Sequence, residues 1–128
     1  SEMPNIELQR GLNQTIDVTY LLAGQTTPVD LGDSGVYSAS MVVRRKSGES
    51  LQGAVIDTLT TANGRVVLID NPGADGPNIQ LKWNTAQSEA LPNEDLIVSG
   101  DLKITKVATS QVEHHIRLTF ALDQEIVA

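Results

Sequence analysis

Residues 78–106 read NIQLKWNTAQSEALPNEDLIVSGDLKITK, and their spacing leaves little choice of local structure. Ile79, Leu81 and Trp83 alternate with polar residues, which is the period of a strand with one buried face. Helix formers run from Thr85 to Leu91 and are closed off by Pro92, whose ring cannot continue a helix. Leu96, Val98, Gly100, Leu102 and Ile104 then resume the two-residue period over a longer strand. Strand, short helical turn, strand is the predicted plan, with the turn leading the chain round a corner into its longest hairpin. Beyond a turn at Ala108, Thr109 and Ser110, one face of the last strand carries Val112, His114, Ile116, Leu118 and Phe120. Glu113, His115, Arg117 and Thr119 occupy the other.

The rest of the chain breaks into pieces of the same kind. Residues 13–21 set Ile16, Val18 and Tyr20 against Thr15, Asp17 and Thr19. Residues 23–35 hold Gly24, Pro28, Gly32 and Gly35, a long loop with Val29 and Leu31 as apolar anchors. Residues 36–45 form a strand with Tyr37, Ala39, Met41 and Val43 on one face. Residues 46–50 read as a turn, and residues 52–58 as a strand whose inner face is open: Ala54 and Ile56, or Val55 and Asp57. Asn63-Gly64 marks a tight turn before a short apolar strand at 65–70. Residues 71–77 are the richest in turn formers and read as an exposed loop. Short strands separated by regular turn signals, with no long helix between them, predict an all-β fold. The architecture expected is an antiparallel immunoglobulin-like β-sandwich with one short helical turn near 85–91. It divides into an N-terminal arm or edge strand at 1–11, a sandwich domain at 12–122 and a tail at 123–128.

Composition narrows function by exclusion. With no cysteine, there is no disulfide, thiol nucleophile or cysteine zinc site. A net charge of −7 disfavours a basic nucleic-acid surface. No apolar run approaches the ~20 residues of a membrane-spanning helix, and residues 1–10 lack the pattern of a signal peptide. Neither a nucleic acid nor a membrane is an expected partner.

Four groups of side chains invite a chemical reading. His114 and His115 are adjacent on a strand, so their rings point to opposite faces and do not converge on one ion. A metal there would need Asp101 or Glu113 to meet one ring across the sheet; a structural role is expected instead. Asp70, Asn71, Asp75 and Asn78 offer oxygen ligands in a glycine-rich loop, but without EF-hand spacing they read as ordinary turn residues. Asp30, Asp33 and Ser34 place carboxylates near a hydroxyl with no base at a defined spacing. Arg44, Arg45 and Lys46 read as a solvated strand end or one side of a protein contact. No phosphate-loop, dinucleotide or nucleophile-elbow motif is present. No catalytic, cofactor-binding or metal-ligating residue is assigned, no cofactor is expected, and the chain is read as a non-enzyme.

In order, the segments are a strand at 14–20, Pro28-Val29-Asp30-Leu31, a strand ending Arg44-Arg45-Lys46 and Asn63-Gly64-Arg65-Val66-Val67-Leu68. Ile79-Gln80-Leu81, the helical stretch from Thr85 to Pro92, a long strand pair and Glu125-Ile126-Val127 follow. From Arg10 onward this series resembles a family of small bacteriophage virion proteins with β-sandwich domains. One departure falls at Asn93-Glu94-Asp95-Leu96, where that family leads one to expect a Gly-Tyr-like turn. The resemblance implies a non-catalytic structural protein of the virion, assembled in the host cytoplasm. It would dock to capsid or tail subunits as a homo-oligomer or in many copies, with tail or fibre attachment placed ahead of capsid decoration. Its terminal segments are candidate intersubunit arms. The rival reading is a carbohydrate- or receptor-binding sandwich using Trp83, Tyr20 or Tyr37 as stacking surfaces.

Overall fold

Each alternating segment has one apolar face, and two sheets form by closing those faces on each other. The computed structural model describes residues 6–33, 35–45 and 53–123. The elements in chain order are β1 (Ile6–Gln9), β2 (Gln14–Val18), β3 (Tyr37–Arg45), β4 (Val55–Thr60), β5 (Val66–Leu68), β6 (Ile79–Trp83), α1 (Thr85–Glu89), β7 (Leu96–Lys106) and β8 (Gln111–Asp123). One sheet has the order β1-β8-β7-β3-β4 and the other β2-β6-β5. The pairings are antiparallel except that β1 lies parallel to β8. This is the expected all-β immunoglobulin-like sandwich with one short helical turn.

The larger sheet contributes Leu8, Met41, Val43, Leu59, Val98, Leu102, Ile104, Phe120 and Leu122 to the core, and the smaller one Val66, Ile79, Leu81 and Trp83. Trp83 meets Phe120 edge to face at 6.1 Å between ring centroids, a favoured aromatic geometry. Gly100 leaves room for that contact. A methyl group there would come within 2.7 Å of Met41 Sδ and 2.9 Å of Phe120 Cε2.

The predicted corner is α1, which takes the chain from β6 in the smaller sheet to β7 in the larger. Asn84 starts the helix. Its side chain accepts from Gln87 N at 2.8 Å, while Gln87 Oε1 accepts from Asn84 N at 2.9 Å. This reciprocal cap satisfies two backbone donors that a helix end leaves over. Ser88 ties the turn down: its Oγ accepts from Gly11 N at 2.7 Å and Leu12 N at 3.2 Å and donates to Gln9 O at 2.9 Å.

Three details differ from the reading by alternation or extend it. The strand expected at 52–58 runs instead over Val55–Thr60, and Asp57 and Leu59 face inward opposite Val43 and Met41. The strand reaches Thr60 because Asn63 holds the turn beyond it, accepting from Thr60 N at 3.0 Å and Arg65 N at 3.1 Å. Val112 does not share a face with His114. The register passes from Ile104↔His114 to Thr105↔Val112, so Glu113 is an extra residue and Val112 turns outward, 52% exposed. Within 1–11, Ile6–Gln9 is an edge strand with Leu8 fully buried opposite Leu122. Residues 1–5, 46–52 and 124–128, where an arm, a turn with the start of the next strand, and a tail are expected, lie outside the described residues.

Candidate functional site

Of the groups singled out by residue type, the histidines separate as predicted. His114 faces inward between two tyrosines. Its Nδ1 lies 3.2 Å from Tyr20 Oη, and its ring centroid lies 5.4 Å from that of Tyr20 and 6.2 Å from that of Tyr37. His115 Nε2 meets Asp101 Oδ1 at 3.2 Å, but Arg117 Nε shares the same oxygen at 3.3 Å. A guanidinium on that oxygen opposes a metal ion electrostatically. Glu113 instead accepts from Tyr37 Oη at 3.4 Å.

The two acidic groups, separate in sequence, partly merge. Asp30, Asp33 and Asp70 bring carboxylate oxygens within 4.8 Å of one another, all on exposed side chains; Asp75 is not among them. Gly32 makes this possible, because a Cβ there would fall 2.0 Å from Asp70 N. Asp30 Oδ1 also accepts from Gly32 N at 3.2 Å and Asn71 N at 3.4 Å. Asn78 leaves the cluster altogether, fully buried and bonded to the 20–29 segment.

Crowding raises the Asp33 carboxyl above its ordinary value, first through the charge of Asp30, then through a hydrogen bond with Asp70. A raised pKa in the folded state means that folding takes up a proton. The contribution to stability is present at low pH and is lost as pH rises through the folded-state value. A carbon-detected NMR titration should therefore place Asp33 above the ordinary aspartate value of about 3.9. Asp30→Asn should bring it down, and an unchanged midpoint in that variant would contradict the charge explanation.

Arg44 Nη1 donates to Gly53 O at 3.3 Å, and Arg45 Nη1 to Glu94 Oε1 at 2.7 Å. The Arg45–Glu94 hydrogen bond raises the one group and lowers the other. Lys46 and Ser34 lie outside the described residues.

Reading by residue type missed the centre that joins the two sheets at one end. Asp57 of β4 receives Arg65 Nη1 on Oδ1 at 2.8 Å and Nη2 on Oδ2 at 2.6 Å. Trp83 Nε1 donates to the same Oδ2 at 2.9 Å. Arg65 Nε also reaches Lys82 O at 3.3 Å, and its guanidinium sits 5.8 Å from the Trp83 ring centroid. The side chains of Arg65 and Asp57 are only 10% and 16% exposed. This is a doubly bonded ion pair between sheets, capped by an indole.

Outside that pair lies an open groove of about 500 Å3, lined by Asn13, Gln14, Thr15, Asn63, Gly64, Arg65, Lys82, Trp83, Asn84 and Gln87. Trp83 is only 2% exposed, so its ring offers no stacking face for a carbohydrate. The recognisable signal was Asn84-x-x-Gln87, a capping pair at the start of the turn.

No protein-family model matches the chain, and no curated protein matches it. Among solved structures it is similar to the NK cell receptor Nkp44, a triggering partner in natural cytotoxicity. The TM-score is 0.40 and 12% of residues are identical, over 94% of this chain and 100% of that one. A likeness of that size carries no argument about what this chain binds.

Proposed function

We propose that this chain is a bacteriophage virion structural protein, a non-catalytic sandwich that docks to capsid or tail subunits and reinforces or joins them. Tail or fibre attachment is placed ahead of capsid decoration, and many-copy assembly is expected. The observation that carries the reading is the edge strand β4, Val55-Ile-Asp-Thr-Leu-Thr60. Among the described residues it pairs only with β3. It has no proline and no lysine, its one charged side chain turns inward to Arg65, and Val55 is 49% exposed. The outer backbone groups of Thr58 and Thr60 already bond to Asp57, Asn63 and Arg65, so an added strand would meet the Val55–Ile56 end, which carries no charge and no proline. The order of segments from Arg10 onward, which resembles that of virion proteins, supports the same reading.

Mass spectrometry and electron microscopy of purified particles test it. The chain should be found at a fixed symmetric position, with β4 against a neighbouring subunit. Val55→Lys should leave the fold intact and prevent incorporation. A monomer absent from purified particles would sink the proposal.

A further inference from the structure

We propose that the groove outside the Arg65–Asp57 pair binds a sugar acid, a small ligand carrying several hydroxyls and one carboxylate. The inference does not depend on the virion reading.

The first ground is which ends of the amides are left over. Asn13 Oδ1 accepts from Thr85 N at 2.6 Å and Thr85 Oγ1 at 3.0 Å. Asn84 and Gln87 use their carbonyl oxygens on each other's backbone N–H, as described above. A backbone N–H can only donate, so the amide orientation is set and not a matter of choice. The NH2 groups of Asn13, Asn84 and Gln87 remain, three donors at one groove with no partner among the described residues. Gln14 and Asn63 are different, because both ends of their amides are engaged with the backbone.

The second ground is charge. The chain carries 16 acidic residues, yet among the described residues none lines this groove. Arg65 is neutralised by Asp57, and Lys82 is exposed with no ion-pair partner among the described residues. The groove thus presents NH2 donors and one uncompensated ammonium. A ligand with acceptor oxygens and a single negative charge fits that set. A volume of about 500 Å3 suits a small molecule. Its open, polar lining suits hydroxyls better than an apolar body. The hydroxyl of Thr15 adds a partner that either donates or accepts.

Titration of the 15N-labelled chain with sodium glucuronate, glucose and acetate tests this by NMR. Glucuronate should give saturable shifts of the Asn13, Asn84 and Gln87 side-chain NH2 resonances. Glucose and acetate should each bind at least about tenfold more weakly, the scale of one charge-assisted hydrogen bond. Asn84→Asp keeps a good helix cap but replaces the donor by an acceptor. Lys82→Gln changes only an exposed side chain, and so reads binding even if the first variant folds poorly. Each should weaken glucuronate about tenfold or more. The proposal is overturned by no saturable shift at about 50 mM glucuronate, far above a weak dissociation constant of ~1 mM. Glucose or acetate binding as tightly as glucuronate, or both variants binding like the parent, would overturn it equally.

Discussion

Asp57→Ala should cost this fold about 3–4 kcal/mol, the scale for removing one partner of a buried ion pair. The loss is large because of what stays behind. Arg65 would keep its position under the Trp83 ring, 10% exposed, with its Nη1 and Nη2 donors no longer answered by a carboxylate. Trp83 Nε1 would lose its acceptor as well. Asp57→Asn should cost less, since an amide oxygen can still accept from one of the two donors. The double variant Asp57→Leu with Arg65→Met should recover most of the loss, because burying neither charge removes the desolvation penalty. Urea denaturation followed by fluorescence of Trp83, the chain's one tryptophan, measures all three. A loss below about 1 kcal/mol for Asp57→Ala would place the pair among weak surface bridges and remove it as the link between the sheets.

That pair also marks where reading by alternation reaches its limit. In β7 the buried residues Val98, Gly100, Leu102 and Ile104 follow strict period two, because one face meets the core along its whole length. The corner at α1 was legible for a similar reason: Pro92 ends a turn between two differently facing strands. In β4 the pattern offers apolar residues on both faces, and only the position of Arg65 in space decides that Asp57 faces inward. The extra residue at Glu113 leaves no mark in composition, yet it turns Val112 away from His114. The four residues of β1 are too few for a period to choose between edge strand and arm. The acidic cluster depends on Gly32 lying against the backbone at Asp70, a contact between segments far apart in sequence. The groove was hidden for a related reason. Asparagine and glutamine are unremarkable singly, and their chemistry appears only when the backbone has claimed one end of each amide.

The second large effect is expected at Asn78, which read as an ordinary turn residue and is instead fully buried. Its Oδ1 accepts from Tyr20 N at 2.8 Å, and its Nδ2 donates to Tyr20 O at 2.8 Å and Val29 O at 2.9 Å. Its backbone pairs on both sides, donating to Val18 O at 3.1 Å and accepting from Ile69 N at 3.0 Å. One side chain thereby satisfies three backbone groups where the chain leaves β2, and it holds the long loop against the core. Asn78→Ala strands Tyr20 N and Val29 O and leaves Tyr20 O with only Val29 N at 3.3 Å, at about 1–3 kcal/mol for each group left unsatisfied in the interior. A total loss near 3 kcal/mol is expected after partial relaxation and water entry. Asn78→Asp is the sharper variant, because it keeps the shape and the acceptor but turns the donor end into a carboxylate oxygen facing two carbonyls. At neutral pH it should be at least as damaging as alanine. Burial against those carbonyls favours the protonated acid, which can donate once. Its folded-state pKa would lie above the unfolded value, so folding takes up a proton, and the deficit against the parent shrinks as pH falls. Denaturation midpoints of parent and variant at neutral and acidic pH measure this directly. A deficit that is small at neutral pH, or that grows on acidification, would show that the loop is held by something other than this amide.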